Sequence, residues 1–248
     1  MDHLIPSKFA DRLLHPPIYR VINKNRRMLM TAQTTSTKSA SSTVKVVSHP
    51  LVQNLLTRLR DYQTPVSEFR QKSLQLAHYL VYEAASDLHS RHTGVETPIG
   101  PAKGIVLSDY VILAPILRAG LVLAEAAQEL LPNARIYHVG LQRDEETLQA
   151  VSYYSKLPDV LPADSCVFIL DPMLATGGSA VAAITLFAGL KVKTIKLVSF
   201  VSSPEGIAKV QQTFPQVSIT TASIDDQLNE HGYIVPGLGD AGDRIFGT

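Results

Sequence analysis

A single cysteine, Cys166, stands in a chain of 248 residues. One thiol cannot build a disulfide framework or a cysteine-rich zinc site, and its place in an apolar run marks it as a small core residue rather than a nucleophile. No apolar run reaches the ~18 residues a membrane span requires, and the first residues lack the charged, apolar and small-residue order of a secretory signal. A cytoplasmic protein is expected. Net charge is also scarce: 23 Lys and Arg against 22 Asp and Glu leave +1. Around the Gly177-Gly178 pair two familiar nucleotide signatures are missing, since no Lys follows the glycines as in a Walker loop and the G-x-G-x-x-G dinucleotide pattern does not fit there. What the chain does have is 45% hydrophobic and only 18% charged residues, enough to bury one large core.

The near-balance of charge conceals an asymmetry. Residues 1–48 carry 8 Lys and Arg against 2 Asp, whereas the remainder carries 15 basic and 20 acidic residues. Residues 31–43 are nearly all Thr, Ser, Ala and Gln, too polar to offset the entropy of ordering, and read as a linker. The chain therefore divides into a basic, flexible extension with its linker, residues 1–43, and a folded body, residues 44–248. The extension has three readings. It is a loose tail or an over-long start, with Met28 and Met30 just ahead of the linker; an organellar leader, against which Asp2 and Asp11 speak; or a nucleic-acid contact through Arg26 and Arg27, which lacks an aromatic platform.

In the body, apolar residues at helical spacing predict helices over 49–60 and 65–88, the second through Phe69, Leu76, Leu80 and Ala84. Short apolar, β-branched runs predict strands at 110–115, 134–141, 167–170 and 194–201, with helices over 121–130 and 179–188. Strands separated by helices imply an α/β fold, a mostly parallel sheet flanked by helices, with ligands at the carboxyl ends of the strands.

The stretch Asp171-Pro172-Met173-Leu174-Ala175-Thr176-Gly177-Gly178-Ser179 follows one of those strands and opens one of those helices. Gly177 and Gly178 let successive amides converge on one anion, Thr176 and Ser179 add hydroxyl donors, and the helix points its positive end at the same spot. Asp171 would repel a phosphate and is better suited to sugar hydroxyls or to a metal-bound diphosphate. An isolated Gly-Gly is often only a turn, but a bare turn requires neither the strand-end Asp nor the flanking hydroxyls. The unit predicts a phosphorylated sugar. Further on, Gly232, Gly237, Gly239 and Gly242, with Pro236, describe a tight backbone loop rather than a helix or strand, anchored by Ile234, Val235, Leu238, Ile245 and Phe246. Residues 148–162, with Tyr153 and Tyr154, read as a hairpin or lid that would exclude water.

The 171–179 stretch resembles the phosphoribosyl diphosphate (PRPP) motif of uracil phosphoribosyltransferases. Pro172 stands where most type I phosphoribosyltransferases carry a second acid. The run from Asn229 to Thr248 is similar to the uracil-binding tail of the same family, and the likeness extends from about Val44 to the end of the chain. The resemblance implies that Asp171, Pro172, Met173, Leu174, Ala175, Thr176, Gly177, Gly178 and Ser179 bind PRPP together with Arg118, in the small-residue turn Arg118-Ala119-Gly120, and Arg143. It further implies that Ile234, Gly239, Asp240 and Ala241 contact uracil, with Asp240 also near PRPP. Related sequences read Glu-Pro-Val-Pro-Tyr where this chain has Gln149-Ala150-Val151-Ser152-Tyr153, which predicts a looser lid.

The activity so implied is transfer of the 5-phosphoribosyl group from PRPP to N1 of uracil, giving UMP and diphosphate in pyrimidine salvage, with Mg²⁺ held mainly through PRPP. Arg118, Arg143 and Asp240 are the expected catalytic residues, Asp240 as the group that helps N1 lose its proton. The resemblance also raises a GTP effector and a dimer or larger homo-oligomer. The rival readings are a PRPP- or UMP-sensing domain without turnover, an RNA-binding regulator of pyrimidine metabolism that uses the basic extension, and an enzyme for another base such as hypoxanthine.

Overall fold

The computed structural model describes residues 43–143 and 150–248, apart from the side chains of residues 142–152. The expectations for the extension, including Arg26 and Arg27, lie outside the described residues. In chain order the elements are β1 (Val44–Val46), α1 (Pro50–Arg60), α2 (Val66–Ala84), β2 (Ser90–Glu96), β3 (Pro101–Leu107), β4 (Tyr110–Leu117), α3 (Leu121–Leu130), β5 (Arg135–Ile136), β6 (Val139–Arg143) and β7 (Ala150–Ser155). There follow β8 (Ser165–Leu170), β9 (Met173–Leu174), α4 (Gly178–Ala188), β10 (Thr194–Ser202), α5 (Pro204–Thr213), β11 (Ser218–Ile224), β12 (Gln227–Leu228), β13 (Ile234–Val235) and α6 (Ala241–Phe246).

The main sheet runs β1-β11-β10-β8-β4-β6-β7, parallel except for the β6–β7 hairpin at its edge. Every residue of β8 is buried. Strands covered on both faces have no polar side to show, which is why β4, β8 and β10 read as nearly continuous apolar runs. Alternation sorts their side chains into two layers. Leu113, Phe168 and Leu170 pack beneath α1, α2 and α3, whereas Ile112, Ala114, Val167 and Ile169 pack with Ala183, Ile184 and Phe187 of α4 and Ile207 and Val210 of α5.

Helix boundaries follow local chemistry. Pro50 opens α1 at a position where its missing N–H costs nothing, His49 Nδ1 accepts from Leu51 N–H at 3.2 Å, and Val52, Leu55, Leu56 and Leu59 recur on the buried face. Similarly, Ser203 caps α5 ahead of Pro204 by accepting from Gly206 N–H at 2.9 Å.

Strand order reverses between β4 and β8. From β4 the chain crosses to β5 and β6 on one side, then returns to β8, β10 and β11 on the other. Pro115 pairs with Leu170, so the carboxyl ends of β4 and β8 lie side by side at the switch point, the place where folds of this kind bind ligands.

The structure departs from the sequence reading in several places. The strand over 134–141 is two pieces, β5 and β6, both paired to β4. The second long helix stops at Ala84. The hairpin of β2 and β3 was not anticipated, because it is exposed along nearly its whole length and carries no half-buried alternation. Nor were α5 and β11. The glycine-rich tail is not wholly loop: β12 pairs antiparallel with β13, and α6 forms once Asp240 caps it, accepting from Asp243 N–H at 3.0 Å.

Candidate active site

Two loops meet at the switch point. After β8, Asp171 N–H donates to Val198 O at 3.1 Å and Pro172 O accepts from Phe200 and Val201, so the motif stays attached to β10 while it turns. Met173 and Leu174 then pair with β10 as the short strand β9, a piece of sheet inside what the sequence suggested was all loop. Leu174 is buried in the core and supports the turn from below. Gly177, at φ +75°, is the N-cap of α4 in a left-handed conformation that L side chains rarely adopt. No side chain caps α4, so its first-turn amides remain as donors for an anion.

The loop after β4 lies alongside. A Cβ on Gly120 would stand 2.3 Å from Leu170 O and 2.6 Å from Ile116 O, so only glycine lets this turn press against the end of β8. Arg118, joined to Leu117 by a cis peptide, is exposed and donates through Nη2 to Asp243 Oδ1 at 3.0 Å, with its guanidinium 5.7 Å from the centre of the Phe246 ring. The C-terminal helix thus reaches back to the β4 loop. The tail also approaches the motif, since a Cβ on Gly232 would lie 3.6 Å from Thr176 Cγ2.

Asp171 is half-buried by exposed area, yet protein surrounds its carboxyl so closely that lost hydration pushes its pKa up to about 7. The one opposing contact, Met173 N–H at 3.4 Å, is long. Asp240 is exposed and its Oδ1 is engaged in the α6 cap. Ile234 and Ala241 are buried and Gly239 is exposed. Arg143 ends β6 opposite Ala150, and its side chain lies outside the described residues. Tyr153 and Tyr154 are exposed on β7. A Cβ on Gly140 would come within 2.6 Å of the Tyr153 ring, so glycine leaves room for that ring to cross β6.

Several residues that shape this region were not singled out from sequence. Ser203 Oγ donates to Ala175 O at 2.6 Å, and a Cβ on Gly206 would sit 2.3 Å from that carbonyl, so the start of α5 braces the motif from behind. Lys209, on the same helix, brings Nζ to 3.8 Å from where a Cβ on Gly178 would be, a cation beside the uncapped start of α4. Asp225 is held below the usual carboxylate range: burial pushes it up, but the Arg60 fork, the Ser223 hydroxyl and the Gly237 amide outweigh that. Ser203 and Gly206 belong to the cap that opens α5, a helix-start signal in the sequence; Lys209 and Asp225 belong to no local motif. The one spacing that could have misled, Gly237-Leu238-Gly239-Asp240-Ala241-Gly242, fits G-x-G-x-x-G but leads into a six-residue helix outside any βαβ unit.

The family model for uracil phosphoribosyltransferase matches residues 46–248. A uracil phosphoribosyltransferase of Dictyoglomus thermophilum is 52% identical over 206 residues, covering 83% of this chain and 99% of its own. One from Thermus thermophilus is 48% identical over 206 residues with the same coverage. Among solved structures, a protein from Aquifex aeolicus superposes with a TM-score of 0.77 at 37% identity, covering 82% of this chain and 97% of its own. An adenine phosphoribosyltransferase of Leishmania donovani shares the fold at a TM-score of 0.51 and 16% identity, over 79% of this chain and 89% of its own.

Proposed function

From a chain that belongs to the uracil phosphoribosyltransferase family, we propose an enzyme that transfers the 5-phosphoribosyl group of PRPP to N1 of uracil. The C1′–oxygen bond to diphosphate breaks, the C1′–N1 bond forms with inversion, and N1 gives up its proton, so the products are UMP and diphosphate. The observation that supports this reading is the meeting of three segments: the Arg118 turn lies against Leu170 at the start of the 171–179 stretch, Arg118 pairs with Asp243 of the tail, and Gly232 lies beside Thr176.

The developing charge is oxocarbenium-like, so positioning and electrostatics dominate over covalent chemistry. In this reading the uncapped amides at the start of α4, with Thr176 and Ser179, hold the 5′-phosphate, with Pro172 to Ala175 forming its supporting turn. Asp171 accepts from the ribose hydroxyls. Arg118 leaves its exposed pairing with Asp243 to receive the diphosphate, for which its planar fork is suited. Arg143 joins it from the end of β6. Backbone groups of Ile234, Gly239 and Ala241 read the pyrimidine edge, and mismatched cytosine would leave site donors unpaired. Asp240 accepts the N1 proton, and Tyr153 and Tyr154 cover the site.

Among the described residues no cluster of three His, Cys, Asp or Glu could cage a metal. The fit is nonetheless good for Mg²⁺, which keeps waters and takes few protein ligands: Asp171 offers one carboxylate at the mouth and the substrate supplies the remaining oxygens. When bound, Mg²⁺ neutralises charge on the leaving diphosphate. A homo-oligomer belongs to the same reading, with apolar surface available at Tyr62, Tyr82, Ile99 and Ile105. A GTP effector would need a separate site. No helix among the described residues is long and apolar enough to cross a membrane, and the cytoplasm is the proposed location.

The test is direct. Purified protein is mixed with PRPP, Mg²⁺ and, in turn, uracil, cytosine, hypoxanthine and orotate, and nucleotide and diphosphate are measured. UMP from uracil alone is expected. Absence of any nucleotide while PRPP binds would overturn the reading in favour of a sensor.

A further inference from the structure

The tail proposed to read the base is fastened at one point by an ion pair with a buried carboxylate, whose guanidinium comes from far away in the chain. Arg60, the last residue of α1, donates through Nη1 to Asp225 Oδ2 at 2.6 Å and through Nη2 to Asp225 Oδ1 at 2.6 Å, a bidentate pair whose carboxylate side chain is 2% exposed. The same Nη1 donates to Gly237 O at 2.7 Å, while Gly237 N–H donates to Asp225 Oδ2 at 2.8 Å. Both polar groups of Gly237 are therefore gripped by the one pair. Ser223 completes it, donating to Asp225 Oδ1 at 2.7 Å and accepting from Arg60 Nη2 at 3.1 Å. Gly237 is itself at φ +59°, and a Cβ there would stand 2.2 Å from Ile234 O, so the turn closes directly against Ile234.

A second guanidinium repeats the device one residue on. Arg244 Nη1 donates to Leu238 O at 2.7 Å and Nη2 to Asp61 O at 2.6 Å, while its plane lies 4.1 Å from the centre of the Phe69 ring. Arg60 at the end of α1 thus holds Gly237, and Arg244 of α6, itself bonded to Asp61 just past α1, holds Leu238; these two residues immediately precede Gly239 and Asp240. None of the hydrogen bonds of Arg60 within the described residues goes to the 171–179 motif or to the Arg118 turn.

We propose that Arg60, acting through Asp225 and Gly237, is a positioning residue that sets the register of the base-reading loop, so that uracil recognition depends on it and PRPP binding does not. The proposal rests on the uracil reading above. A pair of this kind, with its carboxylate buried, is a poor source of net stability but a good source of fixed geometry, because a misplaced loop would leave a carboxylate and a guanidinium without partners. Lys cannot substitute: one ammonium cannot span both carboxylate oxygens and the Gly237 carbonyl.

The experiment compares wild type with Arg60→Lys, Asp225→Asn and Ser223→Ala. Steady-state kinetics give KM for uracil and for PRPP separately, calorimetry gives Mg·PRPP affinity, and thermal melting confirms folding. For Arg60→Lys and Asp225→Asn the uracil KM should rise at least about tenfold, and the preference for uracil over cytosine should fall, with PRPP affinity within about twofold. Ser223→Ala should raise the uracil KM about two- to fivefold by the same route. If the two charge variants do not fold, Ser223→Ala decides: an unchanged uracil KM overturns the proposal. Folded charge variants with an unchanged uracil KM, or with uracil and PRPP affinities falling together, also overturn it. Wild-type protein that makes no UMP would defeat the functional reading instead, so the two failures are distinguishable.

Discussion

Residues 171–179 take their shape from neighbours in the sheet and from a helix start 28 positions along the chain, through Ser203 Oγ on Ala175 O. Residues 225–248 take theirs from α1, with Arg60 reaching Gly237 across 177 positions and Arg244 returning to Asp61 across 183. The stretch proposed to hold the phosphate is therefore a local strand-turn-helix device that leaves the first-turn amides of α4 without a side-chain cap. The tail, proposed to read the base, has only the two-residue β12–β13 ladder and the short α6 of its own, and two guanidiniums fix the turn between them. The contrast shows why the first end carries a compact motif while the second needs a scaffold from the opposite end of the domain.

Substitutions at the two ends should separate accordingly. The largest effect is expected from Gly206→Val, because a Cβ there stands 2.3 Å from Ala175 O and 2.7 Å from Leu174 O, both backbone atoms. The phosphate loop must shift, and kcat/KM for PRPP should fall more than about 100-fold in a protein that still melts cooperatively; retention of wild-type kinetics would show that the brace is irrelevant. Asp240→Asn comes next. Asn caps a helix as well as Asp does, so α6 is preserved and only the proton acceptor is lost. Turnover at saturating uracil should drop about 100-fold, and full turnover would remove Asp240 from the chemistry.

A smaller effect concerns pH. With its pKa pushed up to about 7 by burial, Asp171 ionises as pH rises through neutrality. Mg·PRPP affinity should then increase roughly tenfold between pH 6 and pH 8, beyond the slope set by the phosphates of PRPP, for which Asp171→Asn serves as the reference. The sign for folding is opposite. A raised carboxyl pKa contributes stability at low pH that is lost as pH climbs through the folded value, so ligand-free protein should melt slightly lower at pH 8 than Asp171→Asn does, relative to pH 5. The smallest change is Ser203→Ala, which removes a cap and the bond to Ala175 O. It should cost about 1 kcal/mol, a fall of about 2–4 °C in Tm, and raise the KM for PRPP while leaving that for uracil unchanged.

Legibility followed the same division. Strands β4, β8 and β10 and helices α3 and α4 could be read from the chain because burial on both faces produces apolar runs and local glycines mark the turns. The β2–β3 hairpin could not, since an exposed two-stranded ribbon imposes no burial pattern on its residues. Of the candidate site, Asp171 and Arg118 stood out because each follows a strand, and Thr176 and Gly177 because they open a helix beside small residues. Arg60, Ser203, Gly206, Lys209 and Asp225 did not. Arg60 ends an ordinary amphipathic helix, and Asp225 is one of two adjacent acids, of which Asp226 is exposed and Asp225 buried. Ser203 before Pro204 marks a helix start in the sequence, but nothing in a one-dimensional pattern says what any of them touches, because those contacts are pairings across the domain.

By itself the sequence determined the α/β class, the glycine-rich turn between a buried strand and a helix and, through the glycine spacing of the tail, a second turn-rich segment. These are encoded by residues close in the chain, through φ preferences, side-chain alternation and amides left free at a helix start. Only the tertiary structure decided that β4 and β8 lie side by side at the reversal of strand order, that Arg118 faces Asp243, and that Arg60 holds Gly237. Those facts depend on which distant segments meet. Chain topology and the need to pair buried charge settle that, and no local propensity reports it.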